Sequence, residues 1–474
     1  PAIGRIHFTI GCSFFENNCN RTSLKKENFT SMKVHFIAIG GSAMHNLALA
    51  LQQKGYQITG SDDEIFEPSK SRLSEAKLLP EQDGWYPEKI TTDLDAVILG
   101  MHAREDNPEL IRARELGLSV YSYPEFLYQQ TQDKKRLVIG GSHGKTTITS
   151  MVLHVLHKLQ RPTDFMVGAI LEGLPRSVQL EKDTQIAVFE GDEYLSSPID
   201  RRPKFHLYHP HVAVISGVAW DHMNVFPTWE NYVEQFQIFI DKIEPNGTLI
   251  YCSDDPTLVE LANHARKDIH KIPYSTPPHR IDNGVTFLIT DEGAVQLSIF
   301  GQHNLQNLEA ARLMCREVGI GNADFYGAIS SFTGASRRLE LVRESDDFAV
   351  YRDFAHAPSK LKATTAAVKE QYPNRTLIAC MELHTFSSLN KQFLDHYKGS
   401  MDAADEAVVY FSPEVIKHKR LPEITVEDVQ KAFGRSDLHV FTNVSDLQSF
   451  ISNAPQENAV HLMMSSGNFG GIVF

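Results

Sequence analysis

Cysteine is sparse in this chain: five residues in 474, at positions 12, 19, 252, 315 and 380. They are scattered, odd in number and form no Cys-x-x-Cys pair. That excludes a disulfide framework and a zinc knuckle, and it points to a reducing, cytoplasmic compartment. Long apolar runs are missing as well; no stretch approaches the roughly 18 residues that a membrane-spanning helix needs. Positive charge is in deficit. With 46 Lys and Arg against 59 Asp and Glu, the net charge is −13. A nucleic-acid or anionic-membrane partner would favour basic patches, so neither is expected. A phosphate substrate needs only a few local cations and stays open. Short repeats and low-complexity segments are absent too.

What is present is an ordinary globular composition, 42% hydrophobic and 22% charged, on a chain long enough for several domains. The first 31 residues stand apart. They are rich in Asn, Ser, Thr and Lys and precede Met32-Lys33-Val34-His35. The apolar piece Ile6–Phe15 is interrupted by Thr9, Gly11 and Ser13, and no small-residue cleavage site follows it. Residues 1–32 are therefore expected to be an extension without chemistry, with a start at Met32, rather than a secretory signal.

From residue 33 the pattern alternates strand and helix, as parallel α/β layers do. Val34–Ile39 is an apolar run ending in Gly40-Gly41, and Ala43–Lys54 reads as a helix. Gln57–Gly60, Ala96–Gly100 and Ser119–Tyr121 complete a first unit, and the polar stretch Thr131–Lys135 reads as a linker. Leu137–Ile139, Ile186–Phe189, Val212–Ile215 and Thr248–Tyr251 are strands of a second unit, with a late helix around Asn304–Val318. Phe348–Arg352, Thr376–Cys380, Glu406–Tyr410 and Val460–Met464 belong to a third. The expected boundaries are 33–133, 134–334 and 335–474.

The strongest local signal is Gly141-Ser142-His143-Gly144-Lys145-Thr146-Thr147. A glycine turn between strand and helix presents backbone N–H groups to phosphate oxygens. Lys145 would neutralise β/γ-phosphates, and the Thr146 hydroxyl would hold Mg²⁺. Ile139 stands where the usual spacing has a glycine. Gly40-Gly41 resembles a dinucleotide-binding turn, with Asp62 about 20 residues on, where an acidic residue often meets a ribose. Alone, it reads equally as an ordinary turn. Glu190, in Phe189–Tyr194, ends a strand and is a hard oxygen donor for Mg²⁺ or part of a solvated acidic loop. Asp221-His222 ends another strand; a lone histidine is more often packed than ligating. His303, Asn304 and Asn307 open a helix, where amides cap it or read a base edge. Ser336–Glu340 carries Arg337 and Arg338. Asp353–Pro358 ends a strand and offers a carboxylate and an imidazole.

In this order, these pieces resemble the Mur ligases over nearly everything from Val34 to Ile472. The Gly-x-His-Gly-Lys-Thr-Thr loop is typical of that family and accounts for Ile139. The resemblance implies three α/β domains: an N-terminal Rossmann-like domain that binds UDP, a central P-loop ATPase and a C-terminal Rossmann-like domain. It implies ATP and Mg²⁺ as cofactors and an acyl phosphate on the carboxylate of UDP-N-acetylmuramate, followed by attack of an amine from an amino acid or peptide. Lys145, Glu190 and His222 are then the catalytic set, and Thr146, Glu190 and His222 the metal ligands. The ATP site takes in residues 141–147 with His303, Asn304, Asn307, Arg337 and Asp353. The UDP site takes in Gly40, Gly41, Ser42, Ala43, Met44, Ser61 and Asp62.

Relatives that add later residues carry a carbamylated lysine 15 positions after the Asp of Asp-His; here that position is Phe236. The chain therefore resembles the branch acting directly on UDP-N-acetylmuramate, which adds either L-alanine or the tripeptide L-alanyl-γ-D-glutamyl-meso-diaminopimelate. The segment Asp200–Phe205 and the ending Phe469-Gly470-Gly471 resemble the tripeptide-adding, peptidoglycan-recycling members. Arg201, Arg202 and Lys204 are candidates to meet peptide carboxylates. Some positions depart from the family pattern. Ala38 and Ala43 replace glycines, Arg352 stands where an Asp is usual, Ala357 replaces a histidine, and His384-Thr385 lies where an arginine is common. Two rivals remain. An NAD-dependent oxidoreductase gives Lys145-Thr146 no role, and a non-catalytic binder of nucleotide muropeptides leaves the intact loop unexplained.

Overall fold

The computed structural model describes residues 31–168, 176–220, 225–282, 284–335 and 338–472. The extension expected over residues 1–32 lies almost entirely outside them. Among the described residues there are four sheets, and the three large ones are built on parallel strands. The first runs in the order Gln57–Ser61, Lys33–Ile37, Ala96–Leu99, Val120–Ser122, all parallel. Its two central strands, Lys33–Ile37 and Ala96–Leu99, are short, mainly apolar runs buried on both faces, as the interior of a parallel sheet requires.

The second sheet has seven strands. Its order is His270–Tyr274, Thr248–Cys252, Val212–Ile215, Lys135–Gly140, Ile186–Glu190, Asp164–Met166, Val178–Gln179, with only the last pair antiparallel. The chain leaves Lys135–Gly140 to one side and later fills the other, so a crevice opens at the carboxyl ends of these central strands. Lys145–Lys158, the helix that follows, buries ten of its residues. The third large sheet takes Phe348–Asp353, Ala459–Met464, Thr376–Leu383, Glu406–Phe411 and His439–Phe441 in parallel, with Glu340–Glu344 antiparallel at one edge.

A small antiparallel sheet, His279–Asp282, Val285–Thr290 and Gly293–Leu297, was not read from the sequence. Its hairpin turns carry few apolar residues, so alternation was too weak to separate it from a loop. The stretch read as a linker is also corrected. Lys134 is buried with Nζ at 2.6 Å from both Asp164 Oδ2 and Thr184 Oγ1. Arg136, also buried, donates to the carbonyls of Thr131, Gln132 and Lys134. These polar residues anchor the start of the central strand. The first two large sheets share one continuous core, from Val34 through Phe332. At Ala38 the backbone is left-handed, φ 67°, where the family pattern has glycine; the turn geometry persists without the residue that favours it.

Candidate active site

Two glycines set the phosphate loop. Gly141 has φ 129°, and a Cβ there would meet the Ser216 backbone N at 2.9 Å. Gly144, φ 76°, caps the helix Lys145–Lys158, and a Cβ there would run into the Asn307 side chain. Each is both left-handed and sterically closed, so only glycine fits. The Ser142 side chain belongs to the fold: its Oγ lies 2.8 Å from Tyr232 Oη and accepts from the Ala219 backbone N–H at 2.8 Å. His143 is held neutral, its pKa pushed down to about 4 by burial and by Lys360 and Lys145.

Lys145 Nζ donates to Gly141 O at 2.7 Å and to Glu193 Oε2 at 2.6 Å. Burial opposes its charge, but the carboxylates of Glu193, Asp192 and Glu190 outweigh that and hold the pKa above the ordinary lysine value. Glu193 is fully buried, and its other oxygen lies 3.3 Å from Tyr232 Oη. The sequence reading assigns Glu193 no role; its spacing of three from Glu190 is the available signal.

The Thr146 hydroxyl donates to Glu190 Oε1 at 2.8 Å, and the Gly168 N–H donates to Glu190 Oε2 at 2.7 Å. A hydroxyl and a carboxylate together at a phosphate loop suit Mg²⁺, which binds through few protein oxygens and keeps its waters and phosphate ligands. Among the described residues no group of three or more His, Cys, Asp and Glu forms a metal cage. His222, the third expected metal ligand, lies outside the described residues, as does Asp221.

A cleft of about 410 Å³ separates the loop from the third large sheet. Ser142 to Thr147, Glu190, His303, Asn304 and Asn307 line one wall, and Asp353, His356 and Lys360 line the other. The structure thus brings together most of the expected nucleotide residues from three distant stretches. Asn304 donates its amide N–H to Phe300 O at 3.0 Å, and the helix Gln302–Arg316 starts at Gly301 with no side-chain cap, so the capping alternative is not what these amides do. His303 is neutral, with its pKa lowered to about 4 by burial. Asp353 accepts from the Leu339 and Ala355 N–H groups at 2.6 and 2.7 Å, which orients its carboxylate; burial still raises its pKa. Arg337 lies outside the described residues. Its neighbour Arg338 lines the cleft beside Asp353, with its guanidinium 4.5 Å from the Phe354 ring centre. Lys360, on the helix Pro358–Gln371, was not singled out; a lysine in a helix pattern gives no sign of facing a cleft.

A second crevice, about 510 Å³, lies between the first and second sheets. Gly40, Ser42 and Ala43 line it, together with His45, Asn46, Phe66 and Arg72. Four expected residues are placed differently. Met44 is packed in the core, since helix geometry turns it inward. Ser61 is fully buried at a strand end. The Asp62 carboxylate points back into the turn, accepting from Gly40 N–H at 2.6 Å, and burial pushes its pKa up to about 6. Gly41 caps the helix Ser42–Gln53 and does not reach the crevice wall. At its inner end the crevice is lined by Glu190, Asp192 and Lys204. Glu190 also lines the nucleotide cleft, and no other described residue lines both.

The loop after the acidic motif is closed on itself. Arg202 pairs with Asp200 at 2.6 Å and with Glu125 at 3.1 Å, and Lys204 pairs with Asp192 at 2.6 Å. Arg202 is thereby engaged by a carboxylate of the loop and by one on the helix Tyr123–Gln129.

Three family models match consecutive stretches of the chain: "Mur ligase family, catalytic domain" over residues 33–135, "Mur ligase middle domain" over 139–315, and "Mur ligase, glutamate ligase domain" over 337–467. A UDP-N-acetylmuramate–L-alanine ligase from Arthrobacter is 32% identical over 391 residues, covering 80% of each chain. Another, from Carboxydothermus hydrogenoformans, is 27% identical over 95% of this chain and 97% of its own. Among solved structures, a murein peptide ligase from Psychrobacter arcticus superposes with a TM-score of 0.62 at 24% identity, over 93% of this chain and 97% of its own. The UDP-N-acetylmuramate–alanine ligase of Thermotoga maritima superposes with a TM-score of 0.66 at 22% identity, over 92% and 96%. At those identities the superpositions speak for the fold.

Proposed function

The chain belongs to the Mur ligase family of ATP-dependent, amide-forming ligases, and from that premise we propose that it joins the carboxylate of UDP-N-acetylmuramate to the α-amine of an L-alanyl group. One observation carries the reading: Glu190 is the shared wall of two clefts, one behind the phosphate loop and one against the Gly40 turn. A carboxylate entering from the crevice and a γ-phosphate entering from the cleft converge there.

Residues 141–147 cradle the triphosphate, and Lys145 leaves Glu193 for the β/γ-oxygens. Thr146 and Glu190 would hold Mg²⁺, which would supply charge neutralisation for the phosphoryl group. Arg338 and Asp353 close the cleft from the third sheet. Phosphoryl transfer to the sugar carboxylate breaks the β–γ bridge and gives an acyl phosphate and ADP. The amine then attacks the acyl carbon, and phosphate leaves as the amide forms. The protein contributes positioning and fixed charge, the main terms in phosphoryl transfer.

The curated relatives favour free L-alanine as the amine. A second reading, the L-alanyl tripeptide, has its own support. The Phe469-Gly470-Gly471 ending that resembles tripeptide-adding members is anchored to Glu382, which accepts from Phe469 N–H at 2.9 Å. The Glu382 carboxylate also lies 3.8 Å from His384. The test is mass spectrometry of products from UDP-N-acetylmuramate, ATP and Mg²⁺ with L-alanine, D-alanine or the tripeptide. L-Alanine product at the higher kcat/KM supports the first reading, and tripeptide product the second. ATP turnover that depends on none of these amines would sink both.

A further inference from the structure

The inner end of the crevice is dominated by negative charge, yet the proposed acceptor must bring a carboxylate there. Glu190 and Asp192 both line it. An unscreened third carboxylate would be repelled. Two cationic side chains line the crevice, Arg72 and Lys204. Arg72 belongs to the helix Ser69–Glu75 on the first sheet, acts on His45, and also lines a neighbouring outer cleft with Gln52 and Gln53. Lys204 instead sits against Asp192, two positions along the chain from Glu190.

We propose that Lys204 is a specificity-determining residue that binds the lactyl carboxylate of the acceptor sugar and orients it towards the γ-phosphate. This rests on the reading of the crevice as the UDP-N-acetylmuramate site. The placement is firm. Lys204 N–H donates to Tyr194 O at 3.0 Å, and an isolated bridge joins Leu195 to Pro203. Nζ lies 5.8 Å from the ring centres of both Tyr123 and Tyr194. The side chain is only 14% exposed. An ammonium has three donors, and within the described residues Lys204 Nζ makes one hydrogen bond, to Asp192 Oδ2 at 2.6 Å. Among the described residues two donors therefore remain, on a side chain that lines a crevice roomy enough for a ligand. Burial opposes the charge, but Tyr123, Asp192 and Glu193 outweigh it, so Lys204 stays protonated throughout the neutral range. The same lysine that the sequence suggested for peptide carboxylates is thus turned to the sugar side.

UDP-N-acetylglucosamine separates this role from a structural one, because it lacks the lactyl ether with its carboxylate and shares the nucleotide and the sugar ring. Calorimetric titration of the whole chain with both nucleotide sugars, and with ADP, is the experiment. Wild type should prefer UDP-N-acetylmuramate. K204M should weaken that ligand by about 10- to 100-fold, the range for a lost charged hydrogen bond. UDP-N-acetylglucosamine and ADP should change less than about twofold by the same reasoning, since neither offers Lys204 a carboxylate. K204R should recover part of the preference. Equal weakening of both sugars, or a preference that survives K204M, overturns the assignment. Wild type binding neither sugar overturns the crevice reading itself, and the Lys204 role with it. If K204M does not fold, K204M/D192N, which removes both charges, carries the same comparison: a surviving preference counts against the proposal and a lost one for it.

Discussion

Lys145 Nζ rests 2.6 Å from Glu193 Oε2, so the cation of the phosphate loop is paired with a fully buried carboxylate. Glu193 is tied in turn to Tyr232, and Tyr232 to Ser142 on the loop itself. The lysine is thereby held charged and close to where the phosphates will lie. A nucleotide must take it from Glu193, and the exchange is between two anions rather than from water.

K145A should reduce kcat/KM by roughly 10²–10³, the loss expected when a preorganised charge facing a transferring group is removed. Steady-state ligation kinetics with saturating acceptor and amine check this. A variant keeping half of wild-type turnover would remove Lys145 from the reaction.

Gly144→Ala should impair nucleotide binding before it impairs folding. The residue has φ 76°, and a methyl group would displace the Asn307 side chain. A left-handed alanine costs about 1–2 kcal/mol. The distorted loop should raise the Kd for ADP at least about tenfold, since 1.4 kcal/mol is a factor of ten. Titration of ADP alongside far-UV circular dichroism distinguishes a damaged loop from a damaged fold.

His206 predicts an acid sensitivity. It is buried, lies 2.7 Å from Gln235 O and stacks on Phe205. Burial lowers its pKa to about 4 from an ordinary 6.5. The unfolded chain therefore binds more protons than the folded one between those values, and stability falls as pH drops from about 6.5 to about 4. The effect is at most about 3.5 kcal/mol, since each pKa unit is worth about 1.4 kcal/mol. Tm measured from pH 7 to pH 4 should fall less steeply for H206Q than for wild type. Parallel curves would mean that His206 has no part in the loss.

Phe236 predicts independence from bicarbonate. It is fully buried, edge-on to Phe205 at 5.5 Å and to Tyr232 at 5.2 Å, so no carbamylated lysine can form at that position. Activity in bicarbonate-depleted buffer should equal that in ordinary buffer. Rescue by added bicarbonate would show that another lysine has taken over.

The sequence by itself determined the layers and the nucleotide loop. Apolar runs alternating with helical stretches fixed the parallel strands to within a residue or two at Lys33–Ile37 and Val212–Ile215, because burial on both faces demands such runs. Gly141 and Gly144 were legible because a glycine turn between strand and helix has few other uses. Tertiary structure decided what no local pattern encodes. Strand order put Glu190 between two clefts, although its neighbours there come from residues as distant as Ser42 and Lys360. Folding turned Asp62 and Met44 inward and Lys204 towards the crevice. It also buried Lys134, which composition alone placed in a linker. A polar side chain faces solvent or a partner according to what the rest of the chain brings beside it. That is settled by long-range packing, and spacing along the sequence carries no record of it.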